Sequence, residues 1–287
     1  MPPGIRDAAG YPAAASAPRP SLASRLLLAA AAGFIFPACA TIAPPVSPQI
    51  TAASPSDKAA ELGAMTARLA ERDRGLTSMQ TAAIMDYTAP DRHAKARENI
   101  TVSRPASLRV EAMSPFGVAL VVATHGGQLE IFEPSNNKLI RAAANAATLD
   151  RFVQIPMEPA DAVTLLLGIA PDTARLAATA PASISSENPD ADSTASMTVG
   201  TWRDASGQTR ELGFEGGNLA MVRRRDAAGH IDYEVRYRDY HDIGGVMFPY
   251  VVEADFPPAH SHLTIHYDRP IVNGQISPAV FDLAPAT

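Results

Sequence analysis

Short runs of residues with strand-like alternation follow one another along most of this chain, and tight turn signals separate them. One group of runs begins at Thr77, and a second begins at Met197 and continues towards the C-terminus. The turn signals include "SPFG", "HGGQ", "PSNN", "DASG" and "EGGN". Connections this short join antiparallel neighbours, whereas parallel strands need crossovers of about a dozen residues or more. The pattern predicts an antiparallel meander of about eleven strands.

One helix is predicted before the strands and two are predicted between the two groups. Residues 57–74 place apolar side chains at helical spacing along one face, namely Ala59, Leu62, Met65 and Leu69. Residues 148–153 and 159–167 are also predicted to be helical. The second of these is apolar on nearly all sides, which predicts that it is buried. The polar segment 181–196 is predicted to be a surface loop.

The expected fold class is α+β, with a sheet that curls around the buried helices. A sheet of about eleven strands rarely stays flat. The space between the sheet and the helices would then be lined by apolar side chains. That space either accepts a hydrophobic ligand or is filled as an ordinary core, and the residue pattern leaves both alternatives open.

The single cysteine of the chain follows a short apolar run, "LLLAAAAGFIF" at residues 26–36. This run is too short to span a bilayer as a helix, but it fits the apolar core of a signal peptide. Residues 1–38 are therefore interpreted as a lipoprotein signal peptide, and Cys39 as the lipidated first residue that follows it. A secreted protein with an incidental cysteine is the alternative. Residues 39–56 combine Cys39 with a Pro-rich tether, and residues 57–287 form the folded domain.

The formal net charge of −6 at pH 7, with no basic stripe, argues against a nucleic-acid partner. The same acidic charge argues against broad electrostatic adhesion to anionic lipid. Contact with a membrane is therefore expected to use a covalent lipid anchor or apolar side chains.

An aromatic residue occupies the tip of the "SPFG" turn at residues 114–117. Pro115 favours the second position of a turn and Gly117 suits the exit, so Phe116 is predicted at the tip. Turn tips normally face water and carry small or polar residues. Phe116 therefore either folds back onto the end of the sheet or stays exposed and enters a bilayer or the lipid of a partner.

Three blocks of the chain resemble the LolA/LolB superfamily of bacterial lipoprotein carriers. They are "LRVEAMSPFGVALVVATHGGQLEIFEPSNNKLI", "IPMEPADAVTLLLGIAPD" and "YRDYHDIGGVMFPYVVEA". The resemblance implies an unclosed antiparallel β-barrel covered by helices, with a cavity for the acyl chains of lipoproteins. LolB-type members are outer-membrane lipoproteins that insert received lipoproteins into that membrane. They carry an exposed apolar residue in the turn that matches Phe116.

The resemblance therefore implies a lipoprotein on the periplasmic face of the outer membrane, and the protein is expected to be a monomer. Its partners would be lipoprotein acyl chains and a periplasmic LolA-like carrier. The alternative is a structural or assembly lipoprotein on the same scaffold, without a carrier role. If the helix at residues 159–167 moves as a lid, Leu165 and Leu166 are the residues that cover the cavity.

Seven histidines raise the question of a metal or catalytic site. In "HSHLTIH", His260, His262 and His266 are predicted on one face of a strand, with Leu263 and Ile265 on the other. Histidines at this spacing can bind zinc or copper, but a strand face in contact with water explains them as well. The sequence contains no nucleophile elbow, P-loop or dinucleotide fingerprint. Neither enzymatic activity nor a cofactor is predicted.

Overall fold

The computed structural model describes residues 55–153, 155–188 and 195–283, which form one antiparallel sheet of thirteen strands. The strands before the helical insertion are β1 (Ser78–Ala89), β2 (Arg92–Ser103), β3 (Ser107–Ser114), β4 (Gly117–His125), β5 (Gln128–Glu133) and β6 (Lys138–Ala143). The strands after it are β7 (Ser183–Glu187), β8 (Met197–Arg203), β9 (Thr209–Glu215), β10 (Asn218–Arg225), β11 (Ile231–Ile243), β12 (Val246–Phe256) and β13 (Ser261–Val272).

The two groups of strands join where the first strand pairs with the last. β1 pairs with β2 on one side and with β13 on the other, for example through Ala83 opposite Tyr267. The order across the sheet is β6-β5-β4-β3-β2-β1-β13-β12-β11-β10-β9-β8-β7. β6 and β7 are therefore the two edges, and the sheet is unclosed, as the resemblance implied.

Four α-helices accompany the sheet in the described part of the chain. They are α1 (Pro55–Gly75), α2 (Ala146–Val153), α3 (Pro159–Leu166) and α4 (Thr173–Ala177). Short 3-10 turns occur at Pro134–Asn136, Pro257–Ala259 and Pro278–Phe281. The three helices predicted from the sequence are present, and α4 is an addition. Within the described ranges, no helix combines the length and the apolar character that a membrane crossing would need.

The sheet has two more strands than the eleven or so expected from the sequence. Part of the difference comes from the segment 181–196, because Ser183–Glu187 forms the edge strand β7 instead of a loop. β7 pairs with β8, with Ile184 opposite Gly200. An edge strand can be polar because only one of its sides has a strand partner and much of its surface faces water. Its side chains therefore resemble those of a loop.

Helix α1 buries an apolar stripe against the sheet, as predicted, but the stripe begins one turn later. Leu62, Met65 and Leu69 are buried, whereas Ala59 is exposed. Thr66 is also buried in the stripe, and its hydroxyl donates a hydrogen bond of 2.8 Å to the carbonyl of Leu62. A threonine fits this apolar surface because its polar atom is satisfied within the helix.

An ion-pair cluster fixes the register of β9, β10 and β11 on one face of the sheet. Arg223 stands opposite Glu211 on one side and Glu234 on the other. Its guanidinium donates hydrogen bonds of 2.5 Å to each carboxylate. A shift of one residue would separate these charges and turn every side chain of the strand to the wrong face. The cluster therefore specifies how the second group of strands pairs.

Candidate binding cavity

A cavity of about 340 Å³ lies between the sheet and the helices α2 and α3. This volume is within the range of ligand-binding pockets, about 300–1,000 Å³. Its wall is formed by residues of β1–β4, α2, α3, β11, β12 and β13, and most of these side chains are apolar. Among the residues that line it are Met85, Ala94, Ala96, Val110, Ala112, Leu120, Val122, Leu149, Phe152, Ile155, Met157, Leu165, Leu166, Val252, Ala254 and Phe256.

Small side chains leave the space under β2 and β3 open. Ala94, Ala96 and Ala112 all face the cavity, where strand positions more often carry large or β-branched residues. Opposite them, α2 and α3 contribute larger residues such as Phe152 and Leu166. Helices α2 and α3 therefore cover this part of the sheet without contacting the alanines of β2 and β3. The structure thus leaves space between the sheet and the helices in this part of the molecule.

The cavity opens at the end of the sheet that carries the β1–β2 turn. Along β2, Ala94 is exposed, Ala96 is half-buried, and Glu98 and Ile100 are buried. Arg92, which also lines the cavity, is exposed beside the turn. The cavity-facing side of β2 thus leads from solvent into the interior over about 13 Å between Ala94 and Glu98.

The "SPFG" turn lies at this same end of the sheet, because β3 runs antiparallel to β2 and ends there. Ser114 organises the turn. Its hydroxyl donates a hydrogen bond of 2.9 Å to the carbonyl of Gly117 and accepts one of 3.2 Å from the amide of Phe116. Gly117 adopts a φ of +114°, which an L-residue rarely adopts. Pro115 and Phe116 form the tip, and the side chain of Phe116 is 100% exposed.

Leu165 and Leu166 lie in the wall of the cavity, where their helix ends. Tyr237 donates a hydrogen bond of 3.1 Å to the carbonyl of Leu165, and Tyr267 donates one of 2.9 Å to the carbonyl of Leu166. Burial raises the pKa of both tyrosines, so they remain protonated donors at neutral pH. These bonds are made to carbonyls in the last turn of the helix, of which that of Leu165 also accepts from the amide of Gly168, and they tie α3 to β11 and β13. A lid role for the two leucines stays a prediction.

The residues after α3 pack closely against the sheet. Gly168 has a φ of +66°, and a Cβ at this position would lie 2.7 Å from Cγ of Pro249. Its carbonyl accepts a hydrogen bond from Arg72 of α1. Glycine is therefore required here both for the backbone conformation and for the close approach. Of the two helices that cover the cavity, α3 is thus held at its C-terminal end.

Glu98 is a cavity residue that the analysis of the sequence missed. It is 3% exposed, and its Oε2 atom has no hydrogen-bond partner among the described residues. Burial raises the pKa of this carboxyl to about 7. The sequence did contain a signal for the burial of Glu98, because strand alternation places it on the same face as Ile100 and Val102. The polar residues around it, "RHAKARENI", concealed where the strand begins.

The histidines of "HSHLTIH" do not form a common face. His260 lies in the turn before β13 with a φ of +47°, and only His262 and His266 belong to the strand. His262 lies 2.7 Å from an oxygen of Asp255 and 3.0 Å from the hydroxyl of Thr264. No group of three or more metal-binding side chains occurs in the ranges that the structure describes. The expectation that the three histidines share one strand face is therefore wrong for His260.

Residues 1–38, which are predicted to be a signal peptide, Cys39 and most of the predicted tether lie outside the described residues. The lipidation of Cys39 therefore stays a prediction.

No protein-family model and no curated protein sequence matches this chain, whereas solved structures match it clearly. A DUF1329 family protein from Desulfovibrio piger has a TM-score of 0.51 and 8% sequence identity, over 78% of this chain and 97% of its own. A protein from Vibrio parahaemolyticus, described as an outer membrane lipoprotein-sorting protein domain, has a TM-score of 0.51 and 8% identity, over 77% and 95%.

A third similar structure is that of a LolA superfamily protein from Nitrosomonas europaea, with a TM-score of 0.46 and 14% identity, over 76% of this chain and 97% of its own. The first two similarities establish the architecture of the chain. It has a LolA/LolB-like fold, which confirms the resemblance seen in the three sequence blocks.

Proposed function

We propose that this protein is a lipid-anchored protein on the periplasmic face of the outer membrane, where it binds acyl chains of lipoproteins and takes part in their localisation or insertion. The observation that carries the proposal is the apolar cavity of about 340 Å³. Burying apolar surface is worth about 25 cal/mol per Å², so a cavity lined mainly by apolar side chains favours hydrocarbon over water. The proposed function is that of a binding protein and includes no catalysis.

The fully exposed Phe116 supports a role in transfer in addition to binding. It lies at the end of the sheet where the cavity opens, so a chain that leaves the cavity emerges on the side that carries this aromatic residue. An exposed aromatic side chain gains about 2 kcal/mol on entering an apolar phase. This is enough for a transient contact with a membrane and too little for a stable anchor. In the proposal, the stable anchor is the lipid on Cys39.

Native mass spectrometry of the purified Cys39→Ser protein tests the binding function. This variant lacks the proposed anchor, so any lipid that copurifies with it is bound non-covalently. The proposal predicts adducts with the masses of acyl lipids, which dissociate when the protein unfolds. A protein that remains free of lipid after expression in a bacterium and after incubation with lipoprotein would favour the alternative, a structural or assembly lipoprotein on the same scaffold.

Fractionation of cells tests the anchor separately. The protein with Cys39 should be recovered with outer membranes and carry the mass of a lipid modification, whereas Cys39→Ser should appear in the soluble periplasmic fraction. Equal recovery of both proteins in one fraction, with no difference in mass beyond the substitution, would contradict the anchor. That result would leave the binding function intact, because the cavity does not depend on Cys39.

A further inference from the structure

The side chain of Glu98 is a buried polar group in a cavity that is otherwise almost entirely apolar. It is 3% exposed, it lines the cavity, and its Oε2 atom has no hydrogen-bond partner among the described residues. Polar atoms this deeply buried are nearly always paired, and each exception calls for an explanation. The open space beside the carboxyl gives one, because a ligand in the cavity could supply the missing partner.

The strands around Glu98 offer it no polar partner. Ala83 stands opposite it on β1, and Ala112 stands opposite it on β3. The helices that cover the cavity, α2 and α3, contribute apolar side chains to its wall, namely Leu149, Phe152, Ala162, Leu165 and Leu166. Beyond Ala83, β13 places Tyr267 on the same face, but the hydroxyl of Tyr267 donates to the carbonyl of Leu166. The described side chains that line the cavity around Glu98 are therefore mainly apolar.

The other charged residues of β2, α2 and α3 are exposed or paired with other groups. Arg92 lines the cavity but lies six residues along β2, about 20 Å away at the exposed rim. Asp150 and Arg151 of α2 are exposed. Asp161 of α3 lies 3.5 Å from Arg224, with which it forms an ion pair. None of these groups is placed to satisfy Glu98.

Glu98 lies midway along the cavity. The rim at Ala94 is about 13 Å from it along β2. In the other direction, the cavity continues under β3 and β4 as far as Leu108 and Thr124, which stand opposite each other. Since Ala112 is level with Glu98, Leu108 lies about 13 Å deeper. An acyl chain that fills the deep half would therefore place its polar end near Glu98 and its head group towards the rim.

We propose that Glu98 is a subsite for the carbonyl oxygen through which a bound acyl chain is joined to its head group by an ester or amide bond. The inference rests on the proposed acyl-chain binding and adds the chemical group that the cavity recognises. The protonated carboxyl donates a hydrogen bond to the carbonyl oxygen. A plain hydrocarbon at this position would leave the carboxyl unpartnered, which costs free energy in an apolar site.

The raised pKa of the Glu98 carboxyl supports this assignment. Burial raises the pKa of Glu98 to about 7, with no charged neighbour contributing. Below that pH the carboxyl keeps its proton and can donate. Above it, the carboxylate is an acceptor only and faces the carbonyl oxygen with like polarity. Binding of a carbonyl ligand should therefore weaken between pH 6 and pH 8.

Two glycerol lipids that differ in one oxygen test the subsite. Monodecanoylglycerol has the ester carbonyl and a chain that fits the deep half of the cavity, whereas decylglycerol has an ether with no carbonyl and a chain of the same length. Affinity is measured with the Cys39→Ser protein and with Glu98→Gln and Glu98→Leu made in it. At pH 6 the protein with Glu98 should bind the ester about fivefold more tightly than the ether, in line with one net hydrogen bond. Glu98→Gln, which still donates, should keep most of this preference at both pH 6 and pH 8.

Glu98→Leu should bind the two lipids equally and should be at least as stable as the parent, because it removes an unpartnered buried group. Equal affinities for ester and ether in the parent protein would overturn the subsite and leave acyl-chain binding intact. So would an ester preference that persists in Glu98→Leu, or an affinity for the ester that rises with pH. Failure of both lipids to bind to the parent would overturn the proposed function and the subsite together.

Discussion

Two regions of the same concave surface are built in opposite ways. In the filled region, which comprises β8–β11 with α1 and α4, large side chains such as Trp202, Phe214 and Tyr233 are buried against the helices. In the open region, which comprises β2–β4 with α2 and α3, alanines face a cavity. Both regions follow the same strand alternation. The difference between them is the size of the side chains at inward positions.

Close contact between sheet and helix shows how the filled region is packed. A Cβ at Gly200 of β8 would lie 2.6 Å from Cδ2 of Leu62 on α1 and 2.7 Å from Cη2 of Trp202. The smallest residue is thus used here to let a helix and an indole approach the sheet. In the open region small residues leave a space and do not allow close contact, because α2 and α3 do not pack against Ala96 and Ala112. Stability is therefore expected to reside in the filled region and binding in the open one.

The largest effect is expected from Trp202→Ala. Trp202 is 5% exposed, and its indole N–H donates a hydrogen bond of 3.0 Å to the carbonyl of Thr179. Its removal should lower the free energy of unfolding by about 3–5 kcal/mol. The matched change in the open region is Leu120→Ala, which enlarges a cavity that already exists and should cost less than about 2 kcal/mol. Denaturant titration measures both, and equal losses would remove the distinction between the regions.

In the open region, one buried carboxyl is expected to make a pH-dependent contribution to stability that a single substitution can isolate. The ordinary pKa of a glutamate, 4.5, is raised to about 7 at Glu98 by burial, so the folded protein holds a proton there that the unfolded chain has lost. The free energy of unfolding therefore falls as pH rises above about 4.5, and the loss is complete above about 7. The difference between the two pKa values corresponds to a loss of about 3 kcal/mol at most in the free energy of unfolding.

The variant Glu98→Gln isolates this contribution. Between pH 5 and pH 8 the parent protein should lose about 2 kcal/mol more of its unfolding free energy than Glu98→Gln does. Other buried carboxyls such as Asp73, whose pKa burial also raises, titrate in both proteins and cancel in the comparison. Parallel pH profiles for the two proteins would show that Glu98 has an ordinary pKa and is solvated.

The smallest effect on stability is expected at the rim of the open region. Phe116→Glu changes a side chain that is 100% exposed, so the free energy of unfolding should change by less than about 0.5 kcal/mol. Acyl-chain binding should survive, while transfer of a bound lipoprotein to liposomes should fail. Phe116→Leu keeps an apolar tip and should retain transfer. A loss of several degrees in melting temperature, or normal transfer by Phe116→Glu, would contradict the proposed role.

Strand alternation and turn chemistry predicted most of this fold from the sequence. The tight turns fix antiparallel neighbours. Residues 57–74 show helical periodicity and residues 159–167 are apolar on nearly all sides, and the structure confirms both predicted helices as α1 and α3. Edge strand β7 could not be predicted in this way, because polar residues such as those in "SISSE" fit an edge and a loop equally well. The exposed position of Phe116 was one of two alternatives, and the geometry of its turn decides between them.

The cavity itself could not be predicted from alternation. In the sequence, Ala94, Ala96 and Ala112 look like ordinary apolar positions. Whether they leave a space depends on the distance between the sheet and helices α2 and α3. That distance is set by contacts remote in sequence, such as the hydrogen bonds from Tyr237 and Tyr267 to the end of α3. Glu98 was missed for a related reason. Its burial results from the helices that cover the cavity, and the sequence of its own strand does not show it.

The most direct test of the difference between the two regions is to fill the cavity and leave the fold intact. Ala112→Phe adds an aromatic ring in the cavity, and Ala119→Phe adds the same ring at an exposed position on β4. Both variants should unfold near the parent's midpoint, but Ala112→Phe should lose at least tenfold in affinity for monodecanoylglycerol, while Ala119→Phe should bind as the parent does. If Ala112→Phe folds and binds the lipid with the parent's affinity, the cavity is not the binding site and the account is wrong.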